Sequence, residues 1–287
     1  MTNPVLERLR RYDLRPRKEL GQHFLVDPNV LERLVQVIAP APGQDILEYG
    51  AGLGVLTERL LDSGARVTAV ELDDDLARIL ELELGGRPGF RLVHGDLVRV
   101  SAPELRCELG AAALKLAGNL PYQLTSRVLF GVLDLEDHLQ DAVFMVQREV
   151  AERVVASPGS RDYGILAAVL RTFCAVRLEM RVKPAAFLPP PAVESAVLRL
   201  SPRPGGPAVA WEARGALLRL VKSVFNERRK VLRNTLKKFY GLDAPALAAC
   251  EVRSGVDLGR RPETLDVQEF ARLLAALPES APARARS

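Results

Sequence analysis

Short apolar strand patterns alternate with helical patterns over residues 45–156, and this alternation constrains the fold more than any other feature of the chain. The strands are apolar without a two-residue alternation, which is typical of strands covered on both faces. Repetition of strand and helix favours a mostly parallel sheet with helices on both sides. The predicted strands are residues 45–48, 66–71, 90–93, 114–118 and 141–146, with helices near 55–61, 75–84 and 126–133 between them.

Further elements flank this alternation. Strand patterns near residues 174–182 and 194–200 are joined through Phe187-Leu188-Pro189-Pro190-Pro191 and predict a long hairpin at the edge of the sheet. Helices are predicted near 147–156 and 164–171. Ahead of the sheet, Asp27-Pro28 supplies an N-cap and a proline in the first turn of a helix that ends before Pro40. The predicted fold class is α/β, a Rossmann-like fold with seven strands.

The segment Pro202-Arg203-Pro204-Gly205-Gly206-Pro207 is the clearest linker, because proline and glycine interrupt regular structure. Beyond it, helical patterns lie near residues 211–226, 229–240, 245–250 and 267–277. We predict a first domain over residues 1–203 with a basic N-terminal arm, and a smaller all-helical domain over 208–278. Residues 279–287 are predicted to be a disordered tail.

Positive charge is concentrated in the C-terminal part. The whole chain has 40 Lys and Arg against 36 Asp and Glu, whereas the part from Ala208 onward has 15 against 9. A basic module beside a nearly neutral one is typical of proteins that bind nucleic acid. Between Arg219 and Lys238 there are eight basic residues and one acid, Glu227. A solvated helix face is the alternative to phosphate contact for this segment, and we favour phosphate contact.

Several classes of protein are disfavoured. The first residues lack the apolar stretch of a signal peptide, and no apolar run reaches the about 20 residues that cross a bilayer. The three Cys and three His are scattered, which predicts neither a disulfide framework nor a metal site. We therefore expect a cytoplasmic protein with no metal and no membrane partner.

A glycine-rich loop follows the first predicted strand in Glu48-Tyr49-Gly50-Ala51-Gly52-Leu53-Gly54. Strand, glycine loop and helix form the context in which backbone approaches a nucleotide-like ligand. Val55 stands where a dinucleotide fingerprint would have its third glycine, which disfavours a nicotinamide dehydrogenase. The spacing instead favours S-adenosylmethionine, which has no pyrophosphate to bind.

Acidic residues end the next two predicted strands. Glu71 is placed to accept the two ribose hydroxyls of such a cofactor, and Asp96 to accept its adenine amino group. Either residue alone is as consistent with a solvated strand end. Because the carboxyl ends of parallel strands meet at one edge of a sheet, we expect both residues beside the Gly50 loop.

A fourth strand end carries Asn119-Leu120-Pro121-Tyr122. Pro121 fixes its own φ and keeps Leu120 out of the helical region, so backbone carbonyls here are expected to lie outside any ladder. An amide oxygen and a nearby carbonyl can both accept from one exocyclic amino group. Tyr122 offers a ring on which a base can stack. The alternative is that Asn119 makes only a turn and that Tyr122 belongs to the core.

Taken together, the motifs resemble the ribosomal RNA adenine N6,N6-dimethyltransferases, from about Arg17 to Phe270. The helical C-terminal part is more similar to the small-subunit (16S-type) branch than to the macrolide-resistance branch that modifies the large subunit. His23 stands where that family commonly has Asn. The matching segments are Gly21-Gln22-His23-Phe24-Leu25, the Gly50 loop, Glu71-Leu72-Asp73, Gly95-Asp96, Asn119-Leu120-Pro121-Tyr122, Met145 to Arg153, Tyr163-Gly164, Phe187 to Pro191, Glu194 to Val197 and Arg228-Arg229-Lys230.

The resemblance implies a seven-stranded methyltransferase fold, S-adenosylmethionine as cofactor, and dimethylation of two adjacent adenosines near the 3′ end of 16S rRNA in the assembling small subunit. We expect a monomer. The expected catalytic residues are Asn119, Leu120, Pro121, Tyr122 and Phe187, with Tyr122 and Phe187 covering the two faces of the target base. The expected cofactor site comprises His23, Leu25, Gly50, Gly52, Gly54, Glu71, Leu72, Asp96, Leu97 and Asn119. The expected RNA contacts are Arg17, Lys18, Arg219, Lys222, Arg228, Arg229, Lys230 and Arg233.

Two alternatives stay open at this point. A large-subunit adenine N6-methyltransferase shares these motifs, and a non-catalytic rRNA-binding assembly factor could retain this fold. The Asn119–Tyr122 segment with Glu71 and Asp96 argues against a loss of catalysis.

Overall fold

Residues 3–17 and 21–278 are described by a computed structural model of the chain. Its strands in chain order are β1 Phe24–Leu25, β2 Asp45–Tyr49, β3 Arg66–Glu71, β4 Phe90–His94, β5 Leu114–Asn119, β6 Leu139–Gln147, β7 Cys174–Val182, β8 Phe187–Leu188 and β9 Ser195–Pro202. Its α-helices are α1 Pro4–Arg11, α2 Pro28–Ile38, α3 Val55–Asp62, α4 Asp74–Leu84, α5 Ala102–Glu108, α6 Thr125–Gly131, α7 Arg148–Val155, α8 Ile165–Phe173, α9 Arg214–Phe225, α10 Leu232–Tyr240, α11 Ala244–Ser254 and α12 Val267–Ala276.

Seven strands form one sheet in the order β4-β3-β2-β5-β6-β9-β7. Strands β4, β3, β2, β5 and β6 pair in parallel, whereas β9 is antiparallel to β6. Every residue of β2 is buried, as expected of a strand covered on both faces. The predicted seven-stranded α/β fold, with a hairpin at one edge, is confirmed.

The carboxyl ends of β2 and β5 approach each other unusually closely. Gly118, the penultimate residue of β5, has φ of 155°. A Cβ added to it would lie 2.3 Å from the carbonyl oxygen of Tyr49, the last residue of β2. Only glycine permits this approach, and the approach places Asn119 directly beside the loop that follows β2.

The N-terminal arm contains structure that the sequence patterns above did not predict. Helix α1 begins after Asn3, whose side chain accepts the N–H groups of Val5 and Leu6. Strand β1 pairs antiparallel with β8, so that Phe24 lies opposite Leu188. These contacts hold the arm against the proline-rich segment of the distant hairpin.

The chain divides into two compact units. The first comprises Met1–Ala151 with Arg177–Ser201, and the second Glu152–Val176 with Pro202–Ser287. The second unit therefore holds residues 152–176 in addition to those after the predicted linker, and the domain boundaries at 203 and 208 stay a prediction. The predicted tail over 279–287 lies outside the described residues.

The second unit is mainly helical. Its core includes the buried Tyr163, whose hydroxyl donates to the carbonyl oxygen of Leu265 at 2.8 Å. Helix α10 begins at Leu232 rather than near residue 229, because the preceding residues form turns in which the Lys230 N–H donates to the Glu227 carbonyl. No helix of the described residues, in either unit, has the length and apolar character needed to cross a membrane.

Candidate active site

The glycine loop after β2 forms one wall of a pocket at the carboxyl ends of the parallel strands. Gly50, Gly52 and Gly54 have φ angles of 71°, 59° and 75°, which residues with a Cβ rarely adopt. Gly50 and Gly52 line the pocket. Gly54 instead packs against α4, since an added Cβ would lie 2.8 Å from Leu80 Cδ2. The loop therefore presents backbone to a ligand.

Glu71 is held at the end of β3 by three backbone donors. Its Oε2 accepts the N–H of Gly52 at 2.8 Å, and its Oε1 accepts those of Leu72 and Asp73 at 2.9 and 3.0 Å. A carboxylate has about four lone-pair positions, so one position on Oε2 stays available to a ligand donor. Burial raises the pKa of Glu71, and the three N–H donors oppose that rise.

Apolar side chains and a second acid complete this side of the pocket. Asp96 follows β4 and accepts the Val98 N–H through Oδ1 at 2.9 Å. Leu97 and Leu72 line the pocket beside it, and Leu72 is 48% exposed although it is a leucine. Apolar surface flanked by carboxylates fits a flat ligand with polar groups on its edges, such as a nucleoside.

Asn119 borders the same pocket from β5. Its Nδ2 donates to the carbonyl oxygen of His23 at 2.9 Å. Because that carbonyl can only accept, the contact fixes the orientation of the amide and leaves Oδ1 as the acceptor on the other side. The side chain of Leu120 is buried, and its N–H donates to the Met145 carbonyl at 3.0 Å.

Tyr122 and His23 form an aromatic pair at the pocket. Their ring centroids are 5.7 Å apart and their planes differ by 27°. The hydroxyl groups of Tyr122 and Ser195 are 2.8 Å apart, and burial raises the pKa of Tyr122. His23 Nδ1 lies 2.7 Å from the Pro189 carbonyl oxygen, so Nδ1 carries a hydrogen. The pair links the Asn119 corner to the proline-rich segment.

The pocket gathers most of the residues that the sequence assigned to catalysis and cofactor binding. Those that line it are His23, Gly50, Gly52, Glu71, Leu72, Asp96, Leu97, Asn119, Leu120, Pro121 and Tyr122. Three others are not brought to it. Leu25 and Phe187 lie in a core cluster where Phe187 is 3% exposed, and Gly54 contacts α4.

The pocket also contains residues that sequence reasoning did not assign to it, namely Gly21, Gln22, Phe24, Val70, Asp73, Leu76, Gln123 and Leu124. Several adjoin residues that were assigned. Gln22 and Phe24 flank His23, and Asp73 follows Leu72. Asp73 also caps α4 by accepting the N–H groups of Asp75 and Leu76. Its role as N-cap could be predicted from the sequence, because Asp is a preferred residue at that position.

The basic residues predicted to bind RNA differ in how they are held. In the first unit, Arg17 pairs with Asp73 at 2.9 Å and with Asp75 at 2.7 Å. Lys18 lies outside the described residues. The charge of Arg17 is thus engaged by carboxylates at the rim of the pocket.

In the second unit, two of the predicted RNA contacts are held by neighbouring groups. Arg228 Nε is 3.0 Å from Glu263, and its Nη2 donates to the Arg161 carbonyl at 2.7 Å. Arg233 pairs with Glu251 at 2.7 Å. The other four predicted contacts of this unit are exposed and have no ion-pair partner in the described part of the chain, namely Arg219, Lys222, Arg229 and Lys230.

Comparison with known proteins agrees with the motifs. A model of the family described as "Ribosomal RNA adenine dimethylase" matches residues 14–277. A protein from Anaeromyxobacter sp. (strain K) named "Ribosomal RNA small subunit methyltransferase A" is 48% identical over 272 residues, covering 92% of this chain and 94% of the relative. A protein of the same name from Pseudomonas savastanoi pv. phaseolicola is 41% identical over 268 residues, covering 93% and 97%. The resemblance stated above is confirmed.

Solved structures show the same fold. The crystal structure of the 23S rRNA methyltransferase ErmE is similar with a TM-score of 0.65 and 26% identity, covering 88% of this chain and 99% of that one. A dimethyladenosine transferase from Plasmodium falciparum gives a TM-score of 0.70 at 22% identity, covering 88% and 96%. The second likeness, at this identity, concerns the fold alone.

Proposed function

The chain belongs to the ribosomal RNA adenine dimethylase family, and from that premise we propose that it dimethylates N6 of two adjacent adenosines near the 3′ end of 16S rRNA, using S-adenosylmethionine. The observation that carries the proposal is the meeting of Asn119 with the glycine loop and Glu71 in one pocket. The orientation of the Asn119 amide leaves its oxygen as an acceptor at the place where the target base and the cofactor would meet.

The pocket fits S-adenosylmethionine by its chemistry. Gly50 and Gly52 leave room for close approach to backbone, and Glu71 has one lone-pair position for a ribose hydroxyl. Leu72 and Leu97 offer apolar contact for the adenine, and Asp96 offers an acceptor for its amino group. When bound, the cofactor supplies an electrophilic methyl group: a bond from N6 to carbon forms, the sulfur–carbon bond breaks, and N6 loses a proton to water.

Asn119 makes the adenine amino group reactive in this proposal. The N6 lone pair is spread into the ring, so the nitrogen is a poor nucleophile. Accepting its hydrogens at Asn119 Oδ1 and at a carbonyl near Leu120 favours a pyramidal nitrogen with a localised lone pair. The same fixed oxygens stabilise the positive charge that develops on N6. Tyr122 stacks on the base, and correct positioning supplies much of the remaining rate.

Phe187 can cover the second face of the base only after leaving its present surroundings. It is buried against Leu25 and Met180, among others, and belongs to the core cluster of the first unit. We therefore propose the Phe187 stack as a feature of the complex with substrate, in which the target base has left its own stack.

The proposed partner is 16S rRNA in the assembling small subunit, bound by a cytoplasmic monomer. The exposed Arg219, Lys222, Arg229 and Lys230 supply charges that phosphates attract. The large-subunit alternative is supported by the 26% identity to ErmE. The 41% and 48% identities to small-subunit relatives favour the small subunit over it.

Replacement of Asn119 tests the mechanism. Asn119→Ala should lower kcat about 100-fold or more, the effect of removing one preorganised polar group from a transition state. It should change the dissociation constant of S-adenosylhomocysteine much less. Methyl transfer to small subunits that lack the modification, with calorimetry of cofactor binding, measures both quantities.

The control for this variant is Asn29→Ala, an exposed asparagine on α2 of the same unit. A kcat of Asn119→Ala close to that of the wild type would contradict the mechanism. Primer extension on rRNA from small and from large subunits, each incubated with the wild type, locates the modified bases, and a stop in the large-subunit rRNA alone would select the alternative. Cofactor binding without methyl transfer by the wild type would instead favour a non-catalytic assembly factor.

A further inference from the structure

Helix α1 lies against the glycine loop, and one buried arginine makes the connection. Arg8 is 6% exposed. Its Nη1 donates to the carbonyl oxygen of Leu53 at 2.7 Å, and its Nη2 to Glu58 Oε2 at 2.9 Å. Its Nε lies 3.4 Å from Glu83 Oε2. One guanidinium thus joins the N-terminal helix to the loop and to helices α3 and α4.

The Leu53 carbonyl belongs to the loop whose glycines line the pocket. It lies between Gly52, which lines the pocket, and Gly54, whose added Cβ would lie 3.6 Å from Arg8 Nη1. A buried carbonyl without a donor is costly. Arg8 therefore stabilises the loop conformation in which this carbonyl is directed toward α1.

Apolar contacts of α1 support the same wall. Val5 and Leu9 form a cluster with Leu53 and Leu76, and Phe24 packs against it. Leu76 and Phe24 themselves line the pocket. The helix thus packs behind three neighbouring parts of the wall, namely the loop, the start of α4 and the residue that follows His23.

The charges of α1 do not favour an alternative role in RNA binding. Arg8 is buried among two carboxylates, and Arg11 pairs with Glu7 and Glu83 at 2.5 and 2.7 Å. Among the basic residues of α1, only Arg10 is exposed and lacks an ion-pair partner in the described part of the chain. The helix therefore presents little free positive charge.

We propose that α1 is part of the cofactor site and that Arg8 is a positioning residue, which holds the glycine loop ready for S-adenosylmethionine without touching it. This inference rests on the proposed function, because it assumes that the pocket binds that cofactor. It assigns to the N-terminal arm a role in cofactor affinity that is separate from RNA contact.

The test compares Arg8→Ala, Arg8→Lys and the matched control Arg10→Ala, which removes an equal charge from the exposed face of the same helix. Calorimetry gives the dissociation constant of S-adenosylhomocysteine for each protein without RNA. Arg8→Ala should weaken binding about 10- to 100-fold, as expected when one buried carbonyl loses its donor. Arg8→Lys should be intermediate, because an ammonium can reach Leu53 but cannot also hold both acids in the same way.

Kinetics separate positioning from general stability. In Arg8→Ala the KM for the cofactor should rise by a similar factor while kcat at saturation and the KM for small subunits stay within about twofold, the pattern of lost uniform binding. Arg10→Ala should match the wild type. Measurements are made well below the Tm of each variant, and Arg8→Lys serves if Arg8→Ala does not fold.

The outcomes are distinct. Arg8 variants that are folded and bind the cofactor as tightly as the wild type overturn this inference and leave the proposed function intact. A wild-type protein that binds no cofactor overturns both.

Discussion

We propose one ligand-binding region in each unit, and the charged groups of the two regions differ in their exposure to solvent. Beside the pocket of the first unit, Glu48, Glu71 and Asp73 are buried. In the second unit, Arg229 and Lys230 are exposed. A buried charge is fixed by folding, so its effect depends on geometry and pH. An exposed charge can follow a flexible phosphate backbone, so its effect depends on salt and on the total number of charges.

Neighbours in sequence can fall on either side of this distinction. Arg228 is held by Glu263 and by backbone carbonyls, whereas Arg229 beside it is exposed. Basic residues that look alike in the sequence therefore divide into those that stabilise the fold and those available to a partner. The following predictions test that division.

The largest effect is expected at Glu48, the most completely buried of the acids. It is 1% exposed, and within the described structure its Oε2 has no hydrogen-bond partner. Burial raises its pKa from about 4.5 to about 8, and the negative charge of Glu71 adds to the rise. As pH rises between these values the unfolded state ionises and the folded state does not, so the free energy of unfolding falls by up to about 1.4 kcal/mol per pH unit.

Glu48→Gln cannot ionise, so it should become more stable relative to the wild type as the pH rises from 5 to 8. Urea unfolding at four pH values across this range measures the difference. Glu104→Gln, at an exposed glutamate of α5, is the control. Its free energy of unfolding should change with pH as that of the wild type does. Parallel curves for Glu48→Gln would show that its carboxyl is ionised in the folded protein.

A smaller effect is expected at Arg228. Arg228→Ala removes the partner of Glu263 and a donor to the Arg161 carbonyl, so the protein should lose about 1–3 kcal/mol of stability. Urea unfolding measures this loss. Arg229→Ala, at the exposed neighbour of Arg228, should change the stability by less than about 0.5 kcal/mol. Equal losses in the two variants would contradict the distinction between held and available arginines.

The smallest change in free energy is expected at the exposed Arg229 and Lys230. Arg229→Ala with Lys230→Ala should weaken binding to small subunits about tenfold and reduce the slope of log affinity against log salt by about 2. Filter binding at several salt concentrations measures both. Cofactor affinity should not change. An unaltered salt slope would remove these residues from the RNA contact.

Much of the fold could be predicted from the sequence, because buried parallel strands have a recognisable sequence pattern. The strands over residues 45–49 and 66–71 are short apolar runs followed by Gly50 and by Leu72-Asp73, and the rule that parallel strand ends converge placed Gly50, Glu71 and Asn119 together. The helix after Asp27-Pro28 was readable from its cap. Asn3-Pro4 and Ser101-Ala102-Pro103 carry the same cap signal, so the starts of α1 and α5 are also predictable from the sequence.

Other features could not be read from local patterns. Strands β1 and β8 have two residues each, too few to show any periodicity, and their pairing joins distant parts of the chain. That pairing places Leu25 and Phe187 in the core, and the packing of α4 turns Gly54 away from the pocket. The partners of Arg8 also follow from tertiary packing, because its three acceptors lie on separate elements.

The pairing of β1 with β8 also bears on when the pocket can exist during translation. His23, which lines the pocket, bonds to Pro189, a residue 166 positions later. A ribosome must add nearly all of the first unit before this contact can form, and contacts so distant in sequence form late in folding. A nascent chain therefore cannot fix His23 in this position at the pocket until the hairpin has emerged.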